Sequence, residues 1–499
     1  IHQIPQGATQ TVMFENLEPV LDVVPGTLTV QATDAPNAIN YIEGPNSGTD
    51  VDPLDVDTDV TGQILIDSFE TYEFTNKTDL VINAGAGDDT VNLNNSIAPD
   101  ALSTITVNAG DDTAGDAVIV NGSTASDSII YTPTGADSAT MGGVQGLTSP
   151  DLALNTTEQV IINGLGGDDS LEVDGTTGAD TVTVQAGETR DSGSVQVNSL
   201  LGAEFTNLGV GGSLTLDTMD EEDTIVYSAG ADNDIFVVEG TNGTPGLVSL
   251  TTSAGVHIPV LPGVAGETEN LRLQGRDGDD DFTVNAGHLY TNVILSGSNP
   301  DASDTASLFG DGTMVDVDLT DPATVSGGGL GTVSLPGIEH ASVDSAGGYI
   351  RVFGTSDDDT IDFTPKGDDS GTVESDSVNT VFDVDGASGL SINARTGTDR
   401  VRIHGNSADN AILIDRGATT IVTVDALLPA DIESLVTEAL VVEGELGDDS
   451  FTVIDSGGHA YSFPSNAIVR KCRGNATYAP LLTLPYAHKR NADIELELM

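Results

Sequence analysis

The chain has 499 residues, with 79 Asp and Glu against 15 Lys and Arg and a formal charge of -64. That length exceeds what one ordinary globular core serves, and so acidic a surface repels nucleic acid and anionic membranes, which excludes both as partners. A single cysteine, Cys472, excludes an intramolecular disulfide framework, and no stretch approaches the ~20 apolar residues of a membrane span.

The chain begins at Ile1 rather than Met, as expected after processing or trimming. It enters in mid-pattern: Phe14-Glu15-Asn16-Leu17 resembles Phe205-Thr206-Asn207-Leu208, and no distinct cap is expected before it. Residues 36–59 hold Pro36, Pro45, Pro53 and six acidic residues, and read as an acidic loop or insertion in an N-terminal repeat over 1–103.

A repetitive body is expected over 104–463. Short β-branched strands fall near 160–162, 171–173, 182–184, 195–197, 214–216, 224–227 and 235–238. The step is about ten to twelve residues, with Gly, Asp, Asn or Thr between, and helical periodicity is absent. The predicted class is all-β.

Turns recur with the strands. Complete versions are Gly87-Asp88-Asp89, Gly110-Asp111-Asp112, Gly167-Asp168-Asp169, Gly278-Asp279-Asp280-Asp281 and Gly447-Asp448-Asp449. Reduced versions include Ala125-Ser126-Asp127, Gly178-Ala179-Asp180, Asp232-Asn233-Asp234, Asp358-Asp359 and Ala408-Asp409-Asn410. The reduced motif returns near Asn121, Gly175, Ala229, Gly354 and Gly405, which gives a unit of about fifty residues and about five strands. The wide interval before Gly354 holds two units plus an inserted rung, because Val293-Ile294-Leu295 with Ser303-Asp304-Thr305 resembles Ile105-Thr106-Val107 with Gly115-Asp116-Ala117. Strands this short bury a core only by stacking, so an elongated parallel β-helix or β-solenoid is the expected architecture. A string of small β-sandwich domains is the alternative. Five strands do not divide evenly into a three-faced coil.

The last segment, 464–499, leaves the repeat. It carries Arg470, Lys471, Lys489 and Arg490, and ends in an alternating Ile494-Glu495-Leu496-Glu497-Leu498 expected to be a strand, either a cap or an assembly strand for a neighbouring copy.

The acidic turns carry the candidate chemistry. Ca²⁺ takes six to eight hard oxygens from carboxylates and carbonyls, and a Gly-Asp-Asp corner offers both. Stacked corners bring carboxylates together, and a divalent ion between them turns repulsion into attraction. The candidate ligands are Asp88, Asp89, Asp111, Asp112, Asp168, Asp169, Asp180, Asp279, Asp280, Asp281, Asp358, Asp359, Asp448 and Asp449. Asp and Gly also make good corners without any ion.

The run Gly164-Leu165-Gly166-Gly167-Asp168-Asp169-Ser170-Leu171-Glu172 resembles the nonapeptide of acidic Gly-Asp repeat β-solenoid proteins of the bacterial surface, including the calcium-binding RTX type. The likeness extends loosely over residues 10 to 455, with steps of about ten to twelve rather than nine. It implies secretion and a β-solenoid.

No enzyme is expected. The seven His form no HxH or HExxH spacing, so no zinc site is expected. There is no P-loop, and no Trp to line a sugar groove. Sequons at Asn76, Asn94, Asn121, Asn155, Asn242 and Asn475 make glycosylation possible. The expected role is that of a self-assembling extracellular structural protein, a filament, sheath or surface-layer subunit joined head to tail. A monomeric adhesin that binds glycan is the alternative, and a polysaccharide-active β-helix comes after it.

Overall fold

In the strand Thr104–Asn108 the side chains of Ile105 and Val107 are fully buried, while Thr104, Thr106 and Asn108 stay half exposed. This inward-outward alternation recurs along the chain and is what a strand with one wet face requires. The computed structural model describes residues 20–45, 60–69, 71–110, 115–143, 151–219, 221–240, 246–262, 268–299, 303–416, 419–433, 439–445, 450–454, 468–469 and 495–498. They form 44 strands and no helix. The fold is an all-β solenoid with mostly parallel pairing.

The chain divides into two compact units, Ile1–Asp174 with Asp191–Ser213, and Gly175–Arg190 with Leu214–Met499. Within each unit the strands fall in two sheets. Two faces resolve the five-strand repeat. Three strands form an antiparallel meander in one sheet, and the remaining two place one strand in each sheet.

In the first unit Ser128–Pro133, Ala139–Gly142 and Asp151–Asn155 are such a meander. Its first strand lies parallel to Ser170–Asp174 and its third parallel to Thr104–Asn108, so the excursion fits between two rungs. The preceding meander, Ala38–Glu43, Gly62–Ile66 and Tyr72–Phe74, belongs to the other sheet. In the second unit the same swap recurs: Thr360–Pro365, Gly371–Ser375 and Val381–Asp385 meander in one sheet, and Ala411–Arg416, Thr420–Val424 and Ala430–Ile432 in the other. Each unit also holds one rung outside this scheme, Thr104–Asn108 with Ala117–Asn121 in the first and Asn292–Asn299 with Thr305–Phe309 in the second. These are the two stretches whose sequences resemble each other. Ala38–Glu43, expected as part of an acidic loop, is a strand: its Ala-Ile-Asn-Tyr-Ile-Glu alternates, and the flanking prolines bound it rather than break it.

Parallel register turns the alternation into columns. In the first unit Ile39, Val91, Val118 and Val160 stack in line, as do Tyr41, Leu93, Val120 and Ile162, all at most 1 % exposed. In the second unit Phe236, Phe282, Ala306, Ala341 and Phe382 form one column, with the first two rings parallel and 5.5 Å apart. Each such side chain contributes about 1.5–3 kcal/mol by leaving water.

The outer face of the first unit carries amide columns. Asn207, Asn163, Asn121 and Asn92 each donate an Nδ2–H to the Oδ1 of the next, ending on Asn40, over 2.7–3.1 Å. A second column runs from Asn155 through Asn108 and Asn83 to Gln31. Two sequons therefore fall on ladder members. Asn121 is 7 % exposed, and its amide nitrogen is engaged with Asn92. A glycan at that nitrogen would break the column.

Glu495–Leu498 pairs antiparallel with Ala439–Glu443 of its own chain and with Ile468–Val469. Arg470, Lys471, Lys489, Arg490 and Ile494 lie outside the described residues.

Candidate functional site: the aspartate turns

The turns place their two aspartates differently. Asp88, Asp168, Asp279 and Asp358 are exposed, and so is Asp281, whereas Asp89, Asp169, Asp280, Asp359 and Asp180 are buried. Neighbouring side chains of extended backbone point to opposite sides, so only the second aspartate of each pair reaches inside. Asp111, Asp112, Asp448 and Asp449 lie outside the described residues.

The buried row ties rung to rung. The backbone N–H of Asp127 donates to Asp169 Oδ1 at 2.8 Å, that of Asn37 to Asp89 at 2.7 Å, that of Asp234 to Asp280 at 2.8 Å, and that of Asp359 to Asp399 at 3.0 Å. In the pairs Asp127–Asp169 and Asp234–Asp280 a reduced turn sits on a complete one; Asp34-Ala35-Pro36-Asn37 takes the reduced place and Gly397-Thr398-Asp399 the complete place in the other two. Asp180 follows the same rule with Asp223 at 2.7 Å. Bonds of this charge-assisted kind are the stronger class. The exposed row also reaches across: Asp168 accepts the N–H of Gly211 at 2.8 Å, and Asp358 that of Thr398 at 2.7 Å.

Reduced and complete turns differ at the residue four positions before the buried aspartate. In reduced turns its N–H folds back onto the carboxylate or amide: Ser123 to Asp127 at 2.7 Å, Thr176 to Asp180 at 2.6 Å, Thr355 to Asp359 at 2.6 Å, and Asn406 to Asn410 at 3.0 Å. In complete turns that residue has positive φ: Gly85 at 110°, Leu165 at 67°, Arg276 at 79° and Arg395 at 64°. The flip carries the N–H away. Leu165 donates to Asn163 Oδ1 and Arg395 to Asn393 Oδ1 instead. For Leu and Arg this geometry costs about 1–2 kcal/mol each.

The consequence is a buried carboxylate oxygen with no hydrogen-bond donor, Oδ2 of Asp89, Asp169 and Asp280. Desolvation raises the pKa of all three, to about 6 for Asp169 and about 7 for Asp280, where the charges of Asp304, Asp234 and Asp279 add to it. Asp234 is likewise pushed up to about 6 by burial. At Asp169 and Asp280 the free oxygen lies over the Cα of the glycine five residues earlier: a Cβ on Gly275 would stand 2.5 Å from Asp280 Cγ, and one on Gly164 3.1 Å from Asp169 Cγ; before Asp89 that place is held by Ala84. The same glycine precedes reduced turns, where a Cβ would meet an oxygen of Asp127, Asp180, Asp359 or Asn410 at 2.5–2.6 Å. The contact is of the Cα–H···O type.

In Asp169 and Asp280 one carboxylate oxygen is engaged by a backbone N–H of the neighbouring rung, and the other is packed on a glycine. The exposed row, Asp88, Asp168, Asp279, Asp281 and Asp358, keeps oxygens toward solvent. Among the described residues none of the expected aspartates belongs to a group of three ligand atoms within 4.8 Å of one another.

The second unit holds a cluster that sequence spacing did not show. Asp362, His404 and Glu443 belong to three strands stacked in parallel, Thr360–Pro365, Arg400–His404 and Ala439–Glu443. His404 Nε2 is 2.8 Å from Asp362 Oδ1, and Nδ1 is 3.0 Å from Glu445 Oε1. The hydrogen bond to Asp362, aided by Glu445, holds the imidazole up at about 9. Arg402, Glu374 and Thr364 complete the walls of an open cleft there. No protein-family model and no curated protein matches the sequence.

Proposed function

We propose that the chain is an extracellular structural protein, a subunit of a filament, sheath or surface layer that assembles head to tail through the ends of its stack. The observation that carries this reading is the rung-to-rung use of the turns. Buried aspartates of the turns accept backbone N–H groups of the next rung, so the repeated chemistry holds a stack together. A stack of this kind ends in strands with one side unused. Among the described residues Gly26–Gln31 pairs along one side only, with Lys77–Asn83. Unpaired strand edges recruit further chains, and a contact between unlike ends propagates. Calcium, in this reading, binds the exposed row and lowers the repulsion within a chain of formal charge -64.

A second reading is a monomeric adhesin or the binding segment of a larger surface protein, with a glycan as the partner. The pairing of Glu495–Leu498 with its own Ala439–Glu443 favours it, because a strand seated at home acts as a cap.

Electron microscopy of the purified chain in millimolar calcium, beside a chelated sample, separates the two. Regular filaments or sheets in calcium that disperse in chelator are the expected result. Filaments that survive chelation keep the assembly and remove the ion. Single particles in both samples favour the monomer. Deleting 464–499 is expected to abolish assembly while the repeats stay folded by circular dichroism, and continued polymerisation of the truncated chain would exclude the tail as the joint.

A further inference from the structure

We propose that His404, Glu443 and Glu445 form a binding site for one divalent transition-metal cation of the zinc class, with Asp362 orienting the imidazole. The site borders the Gly447-Asp448-Asp449 turn in sequence and takes a different kind of ion.

The ligand atoms are already grouped. His404 Nδ1 lies 3.0 Å from Glu445 Oε1 and 3.7 Å from Glu443 Oε2, and one ligand atom from each residue lies within 4.8 Å of the others. With metal–ligand bonds of about 2.0–2.2 Å, the edges of a tetrahedron or octahedron fall in the same range. A cation between these three atoms therefore needs little movement of the backbone.

The second nitrogen is held as metal-binding histidines usually are. Nε2 is 2.8 Å from Asp362 Oδ1, a carboxylate one rung away. A proton kept on Nε2 by that carboxylate leaves Nδ1 as the nitrogen that faces the two glutamates. Arg402, 3.8 Å from Asp362 on its Nη1 side, balances that outer carboxylate. Three carboxylates face one imidazole across adjacent rungs, so the cluster carries an excess of negative charge even with the ring protonated.

An imidazole among the ligands selects against calcium and magnesium, which prefer oxygen alone, and toward zinc, cobalt or nickel. The cleft is open: the side chains of His404, Glu443 and Glu445 are 19 %, 31 % and 45 % exposed. Solvent can fill the remaining coordination positions. Binding exchanges cations: the metal takes the Nδ1 lone pair, and the proton that Nδ1 held goes to buffer.

The test is calorimetric titration of the full chain with Zn²⁺, in buffers of different ionisation enthalpy, with millimolar calcium present to occupy diffuse acidic sites. One site is the expected result. Co²⁺ in place of Zn²⁺ should give a visible absorption band. Glu445→Gln, at an exposed position, is expected to weaken binding at least tenfold. His404→Gln should abolish the band. Asp362→Asn should weaken binding about 10–100-fold as an orienting group does, and Asp168→Asn, which is not part of the cluster, should change nothing. No uptake by the unaltered chain, an isotherm unchanged by Glu445→Gln and His404→Gln, or uptake fully suppressed by millimolar calcium overturns the proposal.

Discussion

Gly275→Ala is expected to destabilise the chain by about 3 kcal/mol or more, at the upper end of overpacking effects. The added methyl would overlap Asp280 Oδ2 and stand 2.5 Å from its Cγ and 3.0 Å from its Cβ. A flexible neighbour could yield, but Asp280 cannot. It is fully buried, its Oδ1 accepts the N–H of Asp234 at 2.8 Å, and its own N–H donates to Asp304 Oδ1 at 2.8 Å. Moving the carboxylate breaks the bond to the Asp234 rung, and shifting the backbone instead breaks the one to Asp304. Gly142→Ala is the control, because no atom lies within 4 Å of a Cβ there, and it should be neutral within about 0.5 kcal/mol. Denaturant melts of the two variants measure the contrast. Adding Asp280→Ala to Gly275→Ala should restore part of the loss, since the methyl then enters the space the carboxylate leaves. Strict additivity of the two changes would mean that the glycine is needed for some other reason.

That glycine has a signature in the sequence. The pattern Gly-x-x-x-x-Asp stands at Gly122 and Asp127, Gly164 and Asp169, Gly175 and Asp180, Gly275 and Asp280, and Gly354 and Asp359, apart from the glycine beside the aspartates. The adjacent one is also constrained: Gly167 and Gly278 have φ of 109° and 132°, and a Cβ on Gly167 would stand 2.6 Å from the backbone of Ala125. The all-β class, the repeat of about fifty residues and the inserted rungs followed from periodicity, because strand and turn are local properties. The number of faces did not. Val118 and Ile129 are both buried second residues of alternating strands but lie in different sheets, and sheet membership depends on partners about forty residues away. The direction of the second aspartate was legible in principle from alternation. Its partner was not, since a backbone N–H has no sequence signature. The His404 cluster was hidden for the same reason: Asp362 and Glu445 are 42 and 41 residues from it, and only stacking makes them neighbours.

Between about pH 5 and pH 8 the chain is expected to lose stability, with a melting temperature several degrees lower at the alkaline end. Burial raises Asp169 and Asp234 to about 6 and Asp280 to about 7. A carboxyl with a higher pKa folded than unfolded keeps its proton longer when folded. Its contribution is present in full below about pH 4 and is lost as the pH climbs through the folded value. His404, raised to about 9, acts in the same direction, contributing fully below about pH 6.5 and less above. The opposing groups work lower on the scale. Asp22, Asp318 and Asp383 are held below the usual carboxylate range by bonds to Lys77, Arg395 and Lys366 against the cost of their own burial, and their contribution is lost only under more acid conditions. The melts belong in chelator, so that no cation substitutes for the proton. Asp280→Asn separates the buried row from general repulsion, because it removes the strongest titrating member and keeps an oxygen for the N–H of Asp234. The chain already uses Asn37 and Asn410 at equivalent places in reduced turns, where each accepts a backbone N–H at 3.0 Å. The variant should match or exceed the parent at pH 8, and fall below it at pH 5, where the parent's protonated carboxyl bears no penalty. Equal melting temperatures at both pH values, or an undiminished slope in Asp280→Asn, would show that the buried aspartates are ionised in the fold and that a donor or a cation meets their free oxygens.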